Sequence, residues 1–506
     1  MSKILQKMDE ILLNAFVFQA LISLILLIFI TKWLRKSTGN KKLPPSPRKL
    51  PILGNLHQLG SLPHHNLHSM AKKHGPIMLL HFGSVPTVVV SSAAAAREIM
   101  KTNDLIFSDR PDSSVNRRLL YDNKDVSVAP YGEYWRQLKS ICVLQLLSNK
   151  RVQSFHEIRE EETEILMKRV GEEGSGCVNL SHMFTQLMND VVCRSAIGRK
   201  CREGEDGEKF LQLLREFLEV LGTISIGDFV PSLSWINRIN GFDARVERIA
   251  RDMDEFLEGV IRERLQNPAV KKKNGENFVD ILLHIYQSNS VGVSIDRDSI
   301  KAIILDVFAA GTDTTSTVLE WAMTELLRHP IILKKLQDEV REVVKDKQNK
   351  ITEKDIEKMH YLKVVIKETL RYHTPIPLLV PRIAREDAKI MGYDVPVGTM
   401  MMTNAWAIGR DPDSWDEPER FYPDRFLNSS IDFQGLDFEF IPFGAGRRGC
   451  PGISFAMATN ELVLANLVQK FDWKLGDECK ELDMSERPGV AIRRAVPLLA
   501  VGTQYH

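Results

Sequence analysis

Apolar residues recur at i, i+3 and i+4 spacing over residues 152–170, 208–222, 242–266, 276–288 and 298–328. Each run predicts a helix with one face turned to a core. Pro330 ends the last of them, and Thr352 is placed to cap the next. Residues 76–92, PIMLLHFGSVPTVVVSS, are rich in β-branched residues and predict a strand pair that turns near Gly83–Ser84. Short strands return at 378–403, where GYDVPVGTMMMTN predicts a hairpin. No internal repeat, low-complexity tract or second linker interrupts the chain. The pattern predicts one large domain over 56–506, mainly α with a minor β-sheet region.

Two stretches depart from this pattern. Ile11 to Ile30 carries no charge over about 20 residues, enough to span a bilayer as a helix. Lys32, Arg35, Lys36, Lys41 and Lys42 follow it, whereas Lys3 and Lys7 before it are offset by Asp9 and Glu10. That asymmetry predicts a transmembrane anchor at 11–31, with residues 1–10 lumenal and the body in the cytosol. Pro44, Pro45, Pro47 and Pro51 make 32–55 a stiff, basic hinge. Residues 223–237, TISIGDFVPSLSWIN, are apolar yet loop-like, and both buried core and a membrane-dipping loop fit them.

Composition narrows the function. Of 506 residues 43% are apolar and 26% charged, with a formal net charge of +1, so there is no electrostatic footprint for nucleic acid. Cys142, Cys177, Cys193, Cys201, Cys450 and Cys479 form no C-x-x-C, which excludes a zinc ribbon, a thioredoxin-like site and c-type haem attachment. In a large cytosol-facing chain most of these thiols are expected to be reduced and buried.

Cys450 stands apart. It lies in PFGAGRRGCPG, residues 442–452, and no other cysteine is near it in the sequence. Pro451 suits the first turn of a helix over 453–470, so Cys450 falls at a helix start, where thiolate is favoured. Gly444, Gly446 and Gly449 allow a tight loop and a close backbone approach. A thiolate without companion ligands suits a metal that brings its own equatorial donors, namely haem. The plainer alternative is an inert buried thiol.

FGAGRRGCPG fits the signature F-x-x-G-x-R-x-C-x-G at Phe443, Gly446, Arg448, Cys450 and Gly452. In this the chain resembles the cytochromes P-450, and further landmarks of that family stand upstream in order. Glu368 and Arg371 match its E-x-x-R, and Arg425 in FYPDRF matches the third partner of a structural triad. AAGTDTTS, residues 309–316, matches the oxygen-binding groove, with Thr314 donating to bound dioxygen and Asp313 relaying protons. Trp135 and Arg136 match the family's W-R pair, and the resemblance assigns Arg136, Arg382 and Arg448 to the haem propionates. PPSPRKLPILGNLHQL and APYGEYWRQLKSIC are similar to plant members of the seventy-one clan. SSAAAAREIMKTNDLIFSDRP looks closest to the branch that includes menthofuran synthase.

The resemblance implies a monooxygenase in the endoplasmic reticulum membrane, monomeric, carrying haem b with an axial Cys450 thiolate and using O2. Electrons would come from NADPH through a cytochrome P-450 reductase. The substrate would be a small lipophilic plant metabolite, a terpenoid first and an alkaloid or phenolic next. By position, the 112–126 loop, Ala309, Ala310, Ile376, Leu378, Leu379 and Val490 are expected to line the substrate pocket. Thr374 stands where relatives commonly carry proline, which loosens any inference about the substrate there. Rival readings are a reductase-independent haem-thiolate lyase such as an aldoxime dehydratase, and a haem carrier without catalysis.

Overall fold

A computed structural model describes residues 16–21, 23–24, 41–174, 176–201, 207–266, 276–288, 295–345, 351–476 and 482–505. Residues 16–21 and 23–24 are helical, while the rest of the expected anchor at 11–31 lies outside the described residues. Among the described residues one helix is long and apolar enough to cross a membrane, and it is the mostly buried core helix described next.

The elements that position the site are, in chain order, α1 (Pro63–His74), β1 (Ile77–Phe82), β2 (Val85–Val90), α2 (Glu133–Ser140), α3 (Leu180–Ile197), α4 (Arg297–Arg328) and α5 (His360–Tyr372). They continue with β3 (Arg382–Ile383), β4 (Ala388–Ile390), β5 (Tyr393–Val395), β6 (Met400–Thr403), α6 (Ile453–Lys470), β7 (Glu486–Arg487) and β8 (Arg493–Arg494). Helix α4 is the axis of the molecule and packs against α3, α5 and α6. Its 32 residues span about 48 Å at 1.5 Å per residue. The Asp296 side chain caps it by accepting the Ser299 amide at 2.8 Å. It is buried nearly all round because core surrounds it.

The periodic runs fold as helices close to their expected bounds: Gly207–Leu221, Phe242–Gln266, Phe278–Ser288 and α4. The run at 152–170 is divided at Phe155 into Asn149–Ser154 and His156–Glu172. Thr352 caps its short helix through a reciprocal pair with Asp355. Strands β1 and β2 pair antiparallel with Ile77 opposite Val90, and Gly83 takes φ +57° in the turn.

The hairpin expected at 392–404 does not form. Met391 and Gly392, with φ +50° and +77°, make a two-residue turn that pairs β5 backward with β4. Strand β6 instead runs parallel to β2, Thr87 opposite Met400, and takes β3 on its other edge. Local turn chemistry thus claimed β5, and the buried edge of β2 claimed β6.

Two further expectations change. Residues 223–237 are core only in part: Ser225, Val230 and Asn237 are buried, whereas Ile224, Ile226 and Trp235 are exposed, on and beside the short helices Ile226–Phe229 and Trp235–Ile239. Cys193 and Cys201 are joined in a disulfide rather than reduced. Gly198, left-handed at φ +76°, ends α3 and turns the chain back on itself. That turn brings the two Cα atoms to 5.9 Å.

Candidate active site

A cavity of about 290 Å³ lies between α4 and the cysteine loop. Ile303, Val307, Ala310, Thr314 and Val318 reach it from α4, the i, i+3, i+4 spacing of one helix face. Phe443, Arg448, Cys450 and Phe455 form the facing wall, with Ile376 and Leu379 from the segment after α5. Thr314 Oγ1 donates to the Ala310 carbonyl at 2.7 Å, and Ser316 and Thr317 bond back to the preceding turn in the same way. These bonds let a polar run persist inside a core helix.

The cysteine loop is built by close approach. The Cys450 amide donates to Phe443 O at 3.0 Å, and the Gly452 amide donates to Cys450 Sγ at 3.3 Å. A Cβ on Gly446, whose φ is +67°, would lie 2.2 Å from the Met100 carbonyl oxygen, so only glycine fits. Cys450 is accessible because it borders the cavity, while packed protein surrounds it otherwise. Burial pushes its thiol pKa up, opposed by the Gly452 amide and by Lys139. The helix start alone does not favour thiolate here: α6 begins at Ile453, and a single amide reaches the sulfur. A coordinated cation would hold the sulfur deprotonated.

Buried cations ring the same end of the cavity. Arg448 donates to Ser108 O at 2.7 Å and Ala129 O at 2.6 Å, and its guanidinium sits 4.1 Å from the Trp135 ring. Burial lowers its pKa to about 10. Arg382 is paired with Asp104 at 2.8 Å and donates to Ala445 O at 2.7 Å. Arg110 donates to Ser127 O at 2.9 Å and Val380 O at 2.6 Å. Burial, then the charges of Arg448 and Arg382, hold its pKa well below the usual guanidinium range. Three mutually repelling cations beside one thiol suit a bound group with two carboxylates.

Trp135 is buried and donates from Nε1 to Val126 O at 2.9 Å. Arg136 is exposed and does not line the cavity, contrary to expectation. Lys139 does, and its Nζ donates to Gly449 O. The signal was in the sequence: i+4 from Trp135 shares its helix face, and i+1 does not. Arg110 and Asp306 also line the cavity and went unnoticed, each lacking a motif. Of the expected pocket residues, Ala310, Ile376 and Leu379 line it, as does Val126 of the 112–126 loop. Ala309 points into the helical core instead, and Leu378 packs under the β1–β2 sheet. Val490 lies against Gly222 and does not line the cavity.

Asp313 is turned away from the cavity. One carboxylate oxygen is ion-paired with Arg493 and the other accepts the Ala491 amide at 3.2 Å. Glu368, Arg371 and Arg425 meet as expected, at 2.7 Å and 3.2 Å from the glutamate. Arg447 pairs with Asp104 at 3.0 Å.

One thiol in a glycine-built loop, an apolar cavity over it and buried cations beside it define a haem-thiolate enzyme. The family model for cytochrome P-450 matches residues 44–499, and the chain belongs to that family. It is 73% identical to cytochrome P-450 71A8 of Mentha piperita over 99% of this chain and 98% of that one. It is 50% identical to norfluorocurarine oxidase of Strychnos sp, over 97% of this chain and 98% of that one. A zebra fish cytochrome P-450 with abiraterone superposes with a TM-score of 0.76 at 26% identity, over 88% of this chain and 100% of that one. The chain is therefore a haem-dependent monooxygenase of the seventy-one clan.

Proposed function

We propose that the chain hydroxylates, epoxidises or oxidatively cyclises a small lipophilic plant specialised metabolite, a terpenoid first and an alkaloid or phenolic next. The observation that carries this reading is the placement of Cys450 and Thr314 on facing walls of one apolar cavity. The names of relatives such as norfluorocurarine oxidase and psoralen synthase of Pastinaca sativa, the latter 50% identical over 92% of this chain and 98% of that one, support a small-molecule substrate.

Haem, when bound, supplies the oxidising chemistry. In this reading Cys450 Sγ is its single protein ligand, and Phe443 packs beside it. Arg382, Arg448, Lys139 and Arg110 neutralise its carboxylates, and Trp135 braces Arg448. Ala310, Ile376 and Leu379 exclude water and hold the substrate. Thr314 presents a hydroxyl at the reacting centre, and Asp313 passes protons toward it after leaving Arg493. Glu368, Arg371 and Arg425 hold the cysteine-side scaffold. The chain acts as a monomer in the endoplasmic reticulum membrane, anchored through 11–31 and reduced from NADPH by a cytochrome P-450 reductase. Exposed Ile224, Ile226 and Trp235 suit contact with that membrane.

Reductase-bearing microsomes fed terpenoids, alkaloids and phenolics test the reading. It expects the reduced CO complex to show thiolate ligation and product to require NADPH. Equal turnover without NADPH would assign the chain to the reductase-independent lyases. Conversion of alkaloids with every terpenoid untouched would reverse the substrate order.

A further inference from the structure

Outside the cavity lining, α1 begins Pro63-His64-His65. His64 Nε2 and His65 Nε2 lie 2.9 Å and 2.8 Å from the same oxygen, Oε2 of Glu486 in β7. The three ligand atoms all lie within 4.8 Å of one another. We propose that His64, His65 and Glu486 form a zinc site that clamps the β7–β8 hairpin to α1.

The donor set is right for that ion. Two imidazoles and one carboxylate, with a fourth position for water, make a common three-ligand zinc arrangement. Zinc ligands at roughly 2.0–2.1 Å in a tetrahedron stand about 3.3 Å apart, so each histidine–carboxylate pair need open by only about 0.5 Å. His64 is 1% exposed, whereas the His65 side chain is 41% exposed, so the site is fixed on one side and open to entry on the other. Trp406 meets both rings edge-on, and Asn404 Nδ2 donates to His64 O at 2.8 Å, which fixes ligand orientation. The opposing charge is Arg410, stacked 3.9 Å from Trp406, which works against a cation here.

Without metal, one carboxylate oxygen serves both imidazoles, an arrangement that neutral histidines satisfy as donors. Metal would replace those two hydrogen bonds by three coordinate bonds. The same hairpin carries Arg493, and Ala491 lies at its tip, the two groups that hold Asp313. A metal at its base would therefore stiffen the support of the central helix.

The test is zinc titration of the haem-loaded protein, followed by thermal unfolding and by zinc-edge absorption. At a hundredfold excess over Kd the melting temperature should rise about 3 °C, with nitrogen and oxygen neighbours in the absorption spectrum and no response to magnesium. His65→Ala, at a half-exposed position, should fold and lose the response, and Glu486→Gln should lose it too. No shift in the parent protein, or an undiminished shift in His65→Ala, overturns the proposal. Sulfur neighbours in the absorption spectrum would do the same, by moving the ion to a cysteine.

Discussion

Two ion-paired knots, one on α5 and one on the central helix α4, are built oppositely. In the first, Glu368 and Arg371 are both fully buried. Arg371 uses all its N–H groups, on Glu368 and on the carbonyls of Gly409, Pro418 and Arg420. Glu368 further accepts the Tyr422 amide at 2.7 Å and Arg425 Nε at 3.2 Å. In the second, Asp313 meets Arg493, whose side chain is 28% exposed and also touches the Thr185 and Ser316 hydroxyls at 3.0 Å. The first knot is fully buried and every donor of its arginine is engaged, so it fixes geometry. The second borders solvent through Arg493, which suits the proton-moving role proposed for Asp313.

The largest expected effect comes from opening the closed knot. Glu368→Ala would leave Arg371 charged and buried with two donors unmet, a loss of about 3–5 kcal/mol. Expression should then give little or no haem-loaded protein, read from the reduced CO spectrum. A normal haem yield with an unchanged melting temperature would show that this knot is not structural.

Opening the second knot should instead change chemistry. Asp313→Asn keeps an acceptor for the Ala491 amide but abolishes the charge opposite Arg493. Turnover should fall roughly 100-fold, with a larger solvent isotope effect and a melting temperature close to the parent's. Equal turnover would remove Asp313 from the proton path. Arg493→Gln should have a smaller consequence, a few-fold loss of turnover, because Asp313 retains the Ala491 amide. Arg493→Lys should recover part of it. If Arg493→Gln matched Asp313→Asn in full, the two groups would be acting as one.

The closed knot was readable in the sequence and the open one was not, for a physical reason. Glu368 and Arg371 are three residues apart on one helix, so their meeting is local. Asp313 and Arg493 are brought together only by the C-terminal hairpin, and no spacing encodes that contact. The same division runs through the molecule. Helix periods located the helices, and the glycine-cysteine loop located Cys450. Strand partners beyond the nearest turn went astray, since Met391–Gly392 competes locally for β5. Two of the misses within the site are of one helical step. Arg136 and Ala309 sit one residue, about 100° of rotation, from the positions that face the cavity, namely Trp135 with Lys139 and Ala310.

The smallest predicted effect tests whether burial, rather than ion-pair distance, separates such knots. Asp104 serves two arginines at nearly equal range, Arg382 at 2.8 Å and Arg447 at 3.0 Å. Arg382 is 5% exposed, and Arg447 is 48% exposed. The Arg447 amide also donates to Asp104 at 3.0 Å, and Arg447→Ala keeps that bond. Its cost should be about 0.5 kcal/mol, weakened further by salt, with a melting shift of about 1 °C or less. Asp104→Asn, which strips the buried Arg382 of its partner charge, should cost several times as much. Thermal melts of the two variants at low and high salt decide it. If Arg447→Ala proved as damaging as Asp104→Asn, distance and not burial would set the strength of these pairs, and the contrast between the closed and open knots would lose its basis.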